Sequence, residues 1–159
     1  MSYTGKQFEQ DFVSSFDKSI ESLSLLRLHD SVSGFKGIKN PCDFIMGTAF
    51  GTGYVELKTT KSASLPFSNI TDMQWNEMTI ADYSLYTFCG VLVYFQKHEL
   101  VKWYPIRQLN ALKKSGAKSV NPENLAEVGF SVDFKKKRTR LTIDFDSLVE
   151  AFRQDWEAG

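Results

Sequence analysis

The sequence predicts an α/β fold, and three features carry that expectation. Phe8, Phe12, Phe16, Ile20 and Leu23 recur at helical spacing and build one apolar stripe. "CGVLVYF" is a continuous apolar run, as expected of a strand buried on both faces. "GYVELKT" alternates apolar and polar residues, the pattern of a half-buried strand.

Thr4 followed by Gln7 is a capping-box pattern that opens the first helix, and the stripe extends it to about Leu26. A strand is expected over Leu26–His29, followed by the turn-rich "SVSGFKGIKNP". "CDFIMG" and "GYVELKT" read as paired strands joined through the Gly-rich "GTAFGTG". A second helix is expected from about Thr71 to Tyr83, and "ELVKWYP" pairs with "CGVLVYF". Pro105 suits the first turn of a short helix ending near Gly116. "NPENLAEVG" offers another short helix and "FDSLVEAFRQDW" a last one. No repeat, low-complexity tract or Pro/Gly/Ser linker divides the chain, so residues 1–159 are expected to form a single domain.

Composition narrows the class. Hydrophobic residues make up 42% and charged residues 24%, which fits a globular chain and not a disordered one. No run approaches the length of a membrane span, and "MSYTGKQFEQ" has no signal-peptide pattern. Cys42 and Cys89 belong to no metal-binding or disulfide pattern, so a reducing cytoplasm is expected. The net charge is zero but unevenly spread. Residues 101–140 carry ten Lys/Arg against Glu123, Glu127 and Asp133, whereas residues 141–159 are acidic. Such segregation suits one basic face that meets a polyanion, although an unevenly charged solvated surface would read the same way.

Glu56 and Lys58 lie two apart on a predicted strand and share a face. A hairpin-like arrangement brings the carboxylate of Asp43, which opens the preceding strand, beside Glu56. Two carboxylates, a main-chain carbonyl and waters make an oxygen-rich site for Mg²⁺ or Mn²⁺. A lysine beside them can orient a water or neutralise charge on a phosphate. Taken alone, the Glu-x-Lys triplet is weak evidence, because such triplets occur by chance in most proteins and read as a solvated same-face pair. Glu9 adds to it, because a helical wheel sets it inside the apolar stripe, whereas Asp11 lies off that stripe. A carboxylate in that position either snorkels or caps, or is paired or metal-linked.

"GKQFE", then "PCDF", then "VELKTTK" resembles the PD-(D/E)xK nuclease superfamily. "SLPFSNITDMQWNEM", "GVLVYF", "KSGAKSVNPENLAEVGFSV" and "LTIDFDSLV" follow in the order seen in RecU-like Holliday junction resolvases of Gram-positive bacteria and their phages. The resemblance implies a central mixed β-sheet flanked by helices. It also implies that Asp43 and Glu56 bind Mg²⁺, with Mn²⁺ as a substitute, and that Lys58 is the catalytic amine. Glu9 would complete the acidic site and Gln74 would face it from the second helix. Thr59, Thr60 and Lys61 would approach the scissile backbone. One departure stands out. RecU proteins carry a long basic stalk before the Asp, whereas this chain has only "RLHDSVSGFKGIKNP", with Lys36 and Lys39.

"KKKRTR", including Lys135, Lys136, Lys137 and Arg138, reads as a phosphate-gripping loop in that setting, or else as a solvated turn. The expected function is therefore a metal-dependent endonuclease, acting as a homodimer on four-way DNA junctions and having no membrane association. The alternatives are a restriction-like or repair nuclease on duplex or flap DNA, and a non-catalytic DNA-binding recombination protein.

Overall fold

The computed structural model describes residues 2–16, 20, 22–29 and 40–158. Helix α1 spans Gly5–Ser15, α2 Asp72–Ala81, α3 Ile106–Lys114 and α4 Phe145–Ala158. The strands are β1 Ser24–Arg27, β2 Phe44–Thr48, β3 Gly51–Thr60, β4 Leu65–Pro66, β5 Thr87–Phe95, β6 Leu100–Pro105, β7 Ser119–Val120, β8 Phe130–Val132, β9 Phe134–Lys137 and β10 Arg140–Ile143. Six of them form a mixed sheet in the order β1-β2-β3-β5-β6-β8. Its one parallel pair joins β3 to β5 through a crossover that carries α2, with Glu56 opposite Val91 and Lys58 opposite Val93. The pairs β4–β7 and β9–β10 stand apart from this sheet.

Strand alternation splits the interior into two layers. Val55 and Leu57 of β3, with Phe88, Leu92 and Tyr94 of β5, face Phe8 and Phe12 of α1, Leu148 and Phe152 of α4, and Leu141 and Ile143 of β10. Cys89, Val91, Val93 and Phe95 of β5 face the other way, onto Trp75 and Met78 of α2 and Ile106 and Leu109 of α3. Gly53 serves the first layer. A Cβ there would lie 2.9 Å from the Phe152 ring, so a side chain would push α4 off the sheet. β5 is buried along nearly its whole length, as its unbroken apolar run requires.

Three expectations need correction. α1 stops at Ser15, because Phe16 turns extended and Ser15 donates its hydroxyl back to the Asp11 carbonyl at 2.5 Å. The first strand starts at Ser24 instead of Leu26. "NPENLAEVG" forms consecutive turns and no helix; the Asn121 side chain accepts from the Glu123 backbone N–H at 2.9 Å, an Asx-type turn that competes with helical bonding. The segment after it supplies strands β8, β9 and β10, which local periodicity did not reveal.

Candidate active site

The acidic pair forms where β2 and β3 separate. Their ladder ends at Phe44 opposite Val55, and the Asp43 N–H still reaches the Val55 carbonyl at 3.2 Å. Past that point the β3 backbone has lost its partner on this side. The Asp43 carboxylate replaces it, with Oδ2 accepting from the Leu57 N–H at 2.8 Å. The same bond holds Asp43 beside Glu56. Glu56 points away from the α1–α4 layer, as its neighbours Val55 and Leu57 dictate, and it is 2% exposed.

Lys58 Nζ lies 3.2 Å from Glu56 Oε2 and remains partly open to solvent. Gln74, in the first turn of α2, donates from Nε2 to the same oxygen at 3.0 Å. Its own Oε1 accepts from the Thr71 N–H at 3.1 Å, and the Thr71 hydroxyl accepts from the Gln74 N–H at 3.2 Å. This reciprocal cap orients α2 so that Gln74 meets Glu56. Glu56 Oε1 is buried and has no hydrogen-bond partner among the described residues.

Burial first, and the neighbouring Asp43 charge second, push the Glu56 carboxyl up to about 8, against the pull of Lys58. Asp43 is also raised by burial, which outweighs its bond from the Leu57 backbone, the Lys58 charge and its contacts with Glu9 and Glu56. Two desolvated carboxyls share one ammonium here, so the centre has room for more positive charge.

The donor set fits a hard divalent cation. It consists of carboxylate oxygens, one of them a buried atom with no hydrogen-bond partner among the described residues, while the neighbouring Cys42 thiol is held protonated by burial and by both acids. Among the described residues no three His, Cys, Asp or Glu side chains form a metal-holding group, so main-chain and water oxygens would complete the shell. Glu9 fits this description as a neighbour. Its carboxylate contacts Asp43, while its Oε2 accepts from Arg27 Nη2 at 3.0 Å. Arg27 had no sequence signal, because its partner lies across the sheet edge on another element.

The acid buried within α1 is Asp11, 2% exposed, and not Glu9. It accepts from the Tyr3 hydroxyl at 2.6 Å, Arg140 Nε at 2.5 Å and the Leu141 N–H at 2.9 Å, which pins β10 onto α1.

The remaining expected residues divide. The Thr59 hydroxyl is engaged internally, donating to the Tyr94 carbonyl at 3.0 Å and accepting from Gln96 at 2.9 Å. The Thr60 hydroxyl accepts from the Ser62 N–H at 3.1 Å and so shapes the turn after β3. Lys61 is exposed at that turn. Lys135, Lys136, Lys137 and Arg138 lie on the β9–β10 hairpin, whose apolar side packs with α1 on the face opposite Glu56. Within it, Lys136 pairs with Glu99 at 2.8 Å. Lys36 and Lys39 lie outside the described residues. His98 rests against the Ala63 carbonyl and Glu123, away from the acids.

No protein-family model and no curated protein sequence matches the chain. A solved structure does. The described fold is similar to that of Hjc from Archaeoglobus fulgidus, a Holliday junction resolvase from an archaeal hyperthermophile. The TM-score is 0.53 at 14% identity, over 80% of this chain and 95% of that one. The likeness establishes a shared fold, a mixed sheet with helices on both faces. Among the described residues, no helix is long and apolar enough to cross a membrane.

Proposed function

We propose that the chain is a metal-dependent endonuclease that cuts four-way DNA junctions, of the RecU-like type within the PD-(D/E)xK superfamily. The observation that carries this reading is the buried Asp43–Glu56 pair at the β2/β3 fork, with Lys58 at 3.2 Å from Glu56 and Glu56 Oε1 without a hydrogen-bond partner among the described residues. A binding-only protein gains nothing from two desolvated acids facing a polyanion. The fold similarity to a junction resolvase supports the choice of substrate.

Asp43 and Glu56 would hold Mg²⁺ or Mn²⁺, which supplies Lewis-acid polarisation of the phosphoryl oxygens. The protein's own groups do the rest. The Leu57 N–H fixes Asp43, and Gln74 fixes Glu56, so both carboxylates are positioned before substrate arrives. Lys58 lies on the same face, where its ammonium can orient the attacking water and offset charge that develops as the P–O bond breaks. A four-way junction has two-fold symmetry, so paired incisions call for two sites related by a dyad, as a C2 homodimer provides. Exposed Tyr83, Leu85, Tyr86 and Trp156 offer an apolar surface for the second copy.

The test presents a labelled four-way junction, its linear arms and a flap to the protein under equal competitor DNA, with Mg²⁺ titrated from zero. Junction-selective cleavage that needs the metal is expected, and Asp43→Asn should bind the junction without cutting it. Full cleavage by Asp43→Asn removes the central claim. Equal cutting of the linear arms would assign a duplex nuclease instead.

A further inference from the structure

The catalytic side chains and the expected DNA-gripping hairpin lie on opposite faces of the sheet, which leaves open what holds the DNA on the catalytic face. From Leu100 to Pro122 the sequence has Lys102, Arg107, Lys113, Lys114 and Lys118 and no acid. Lys102 is buried, donating to the Ala126 and Val128 carbonyls, and so serves the fold. Lys113, Lys114 and Lys118 are exposed, and no ion pair involves them among the described residues.

These lysines reach the catalytic face through two structural links. The chain leaving β3 passes through Lys61 into β4, which pairs with β7, so the Lys118 carbonyl accepts from the Phe67 N–H at 2.9 Å. On the other side, Lys113 Nζ sits 4.4 Å from the centre of the Trp75 ring, one residue beyond Gln74. Trp75 is itself held by its ring N–H to Asn110 and is 5% exposed. Lys113 lines several clefts, one between α2 and α3 with Trp75 and Lys114, the others along Ser68 and Thr71 and down to Lys118. Asp72 borders one of them. The α3 helix dipole explains cations at Lys113 and Lys114, but not at Lys118, which lies beyond the helix.

We propose that the Lys113–Lys114–Lys118 shelf, with the Ser68 hydroxyl, is the surface that holds the DNA phosphodiester backbone beside the scissile position. The proposal rests on the nuclease reading of the Asp43–Glu56 site. The exposed Ser68 and ammonium groups outside any ion pair among the described residues, set along shallow clefts, match backbone phosphates and carry no means of reading base edges. The shelf therefore contributes sequence-independent grip on the strand that runs past Gln74 and Glu56.

The test is fluorescence anisotropy of a labelled four-way junction across a salt series in metal-free buffer, where no cutting occurs. Lys113→Gln with Lys118→Gln is compared with Lys135→Gln with Lys137→Gln on the hairpin and with the unaltered protein, and circular dichroism checks folding of each. The shelf pair should weaken binding about tenfold or more and reduce the slope of log K against log salt by about two. A folded shelf pair that binds with unaltered affinity and slope overturns the proposal, as does a hairpin pair that accounts for the whole effect. Salt-dependent binding by the unaltered protein with no change in the shelf pair leaves the nuclease reading standing. An unaltered protein that fails to bind the junction at any salt removes both.

Discussion

Gln74 donates to Glu56 Oε2 at 3.0 Å while the oxygen of the same amide accepts the Thr71 N–H that caps α2. One side chain therefore ties helix capping to the orientation of a carboxylate in the candidate site. Replacing it separates the two roles. Gln74→Glu keeps an oxygen for the cap but sets a third carboxylate against Glu56, whereas Gln74→Ala loses both. Gln74→Ala should cost about 1 kcal/mol of stability through the cap. Gln74→Glu should unfold within a few degrees of the unaltered protein yet cut junction DNA far more slowly. Thermal melts and single-turnover cleavage measured on both variants decide this. Equal cleavage by Gln74→Glu would show that the amide donor has no part in the reaction.

Glu56 makes stability depend on pH in a defined direction. Its carboxyl sits near 8 in the folded protein, chiefly through burial, against the ordinary Glu value of about 4.3 in the unfolded chain. Between those values the folded state keeps a proton that the unfolded state has released. The stabilising contribution is thus complete below the ordinary value and is lost as pH rises towards 8. Glu56→Gln has no such proton to lose. In metal-free buffer it should gain roughly 1–3 kcal/mol over the unaltered protein at pH 8 relative to pH 5, while losing cleavage. Urea midpoints at the two pH values report the difference, and parallel curves for the two proteins would sink the idea.

The Asp43–Glu56–Lys58 constellation was legible in the sequence because strand alternation dictates which residues share a face, and those residues lie on or beside regular strands. Gln74 was legible from the resemblance, and its reach to Glu56 follows from a cap that "TDMQ" spells out. Periodicity failed where a residue's surroundings come from distant chain. A helical wheel set Glu9 inward and Asp11 outward from the Phe stripe alone. The β9–β10 hairpin then lays Arg140 and Leu141 against the flank carrying Asp11, covering an acid that α1 by itself would expose. The hairpin was read as a basic loop, because three consecutive lysines hide the alternation of its neighbours Phe134, Leu141 and Ile143.

Asp11 and Glu9 should consequently respond in opposite ways to truncation. Asp11→Ala strands the buried Leu141 N–H and releases Arg140 and the Tyr3 hydroxyl together, so a loss of about 2–4 kcal/mol is expected. Glu9→Ala removes a pair with the partly exposed Arg27 and should cost under about 1 kcal/mol. Its effect should appear instead in the metal concentration needed for half-maximal cleavage, since Glu9 contacts Asp43. Denaturant midpoints and Mg²⁺ titrations of the two variants separate the roles. A Glu9→Ala protein as unstable as Asp11→Ala would return Glu9 to a purely structural part.

Leu85 is 85% exposed and Tyr83 84%, in a loop whose neighbour Tyr86 lies 6.1 Å, ring to ring, from Trp156 of α4. Residues 83–86 carry no charge of their own, and although Tyr83 borders the cleft that holds Arg107, Lys113 and Lys114, the exposed Leu85 and Tyr86 beside Trp156 are suited to an apolar, tyrosine-rich contact. A two-fold axis through it would set each copy's loop against the other's and bury both. Leu85→Glu places like charges together across that axis and leaves each a desolvated carboxylate, a cost no rearrangement of the loop removes. The unaltered protein should sediment as a dimer at micromolar concentration and Leu85→Glu as a monomer. On a junction the variant should yield single nicks in place of paired incisions. A monomeric unaltered protein, with or without junction DNA, would show that this apolar face meets something other than a second copy.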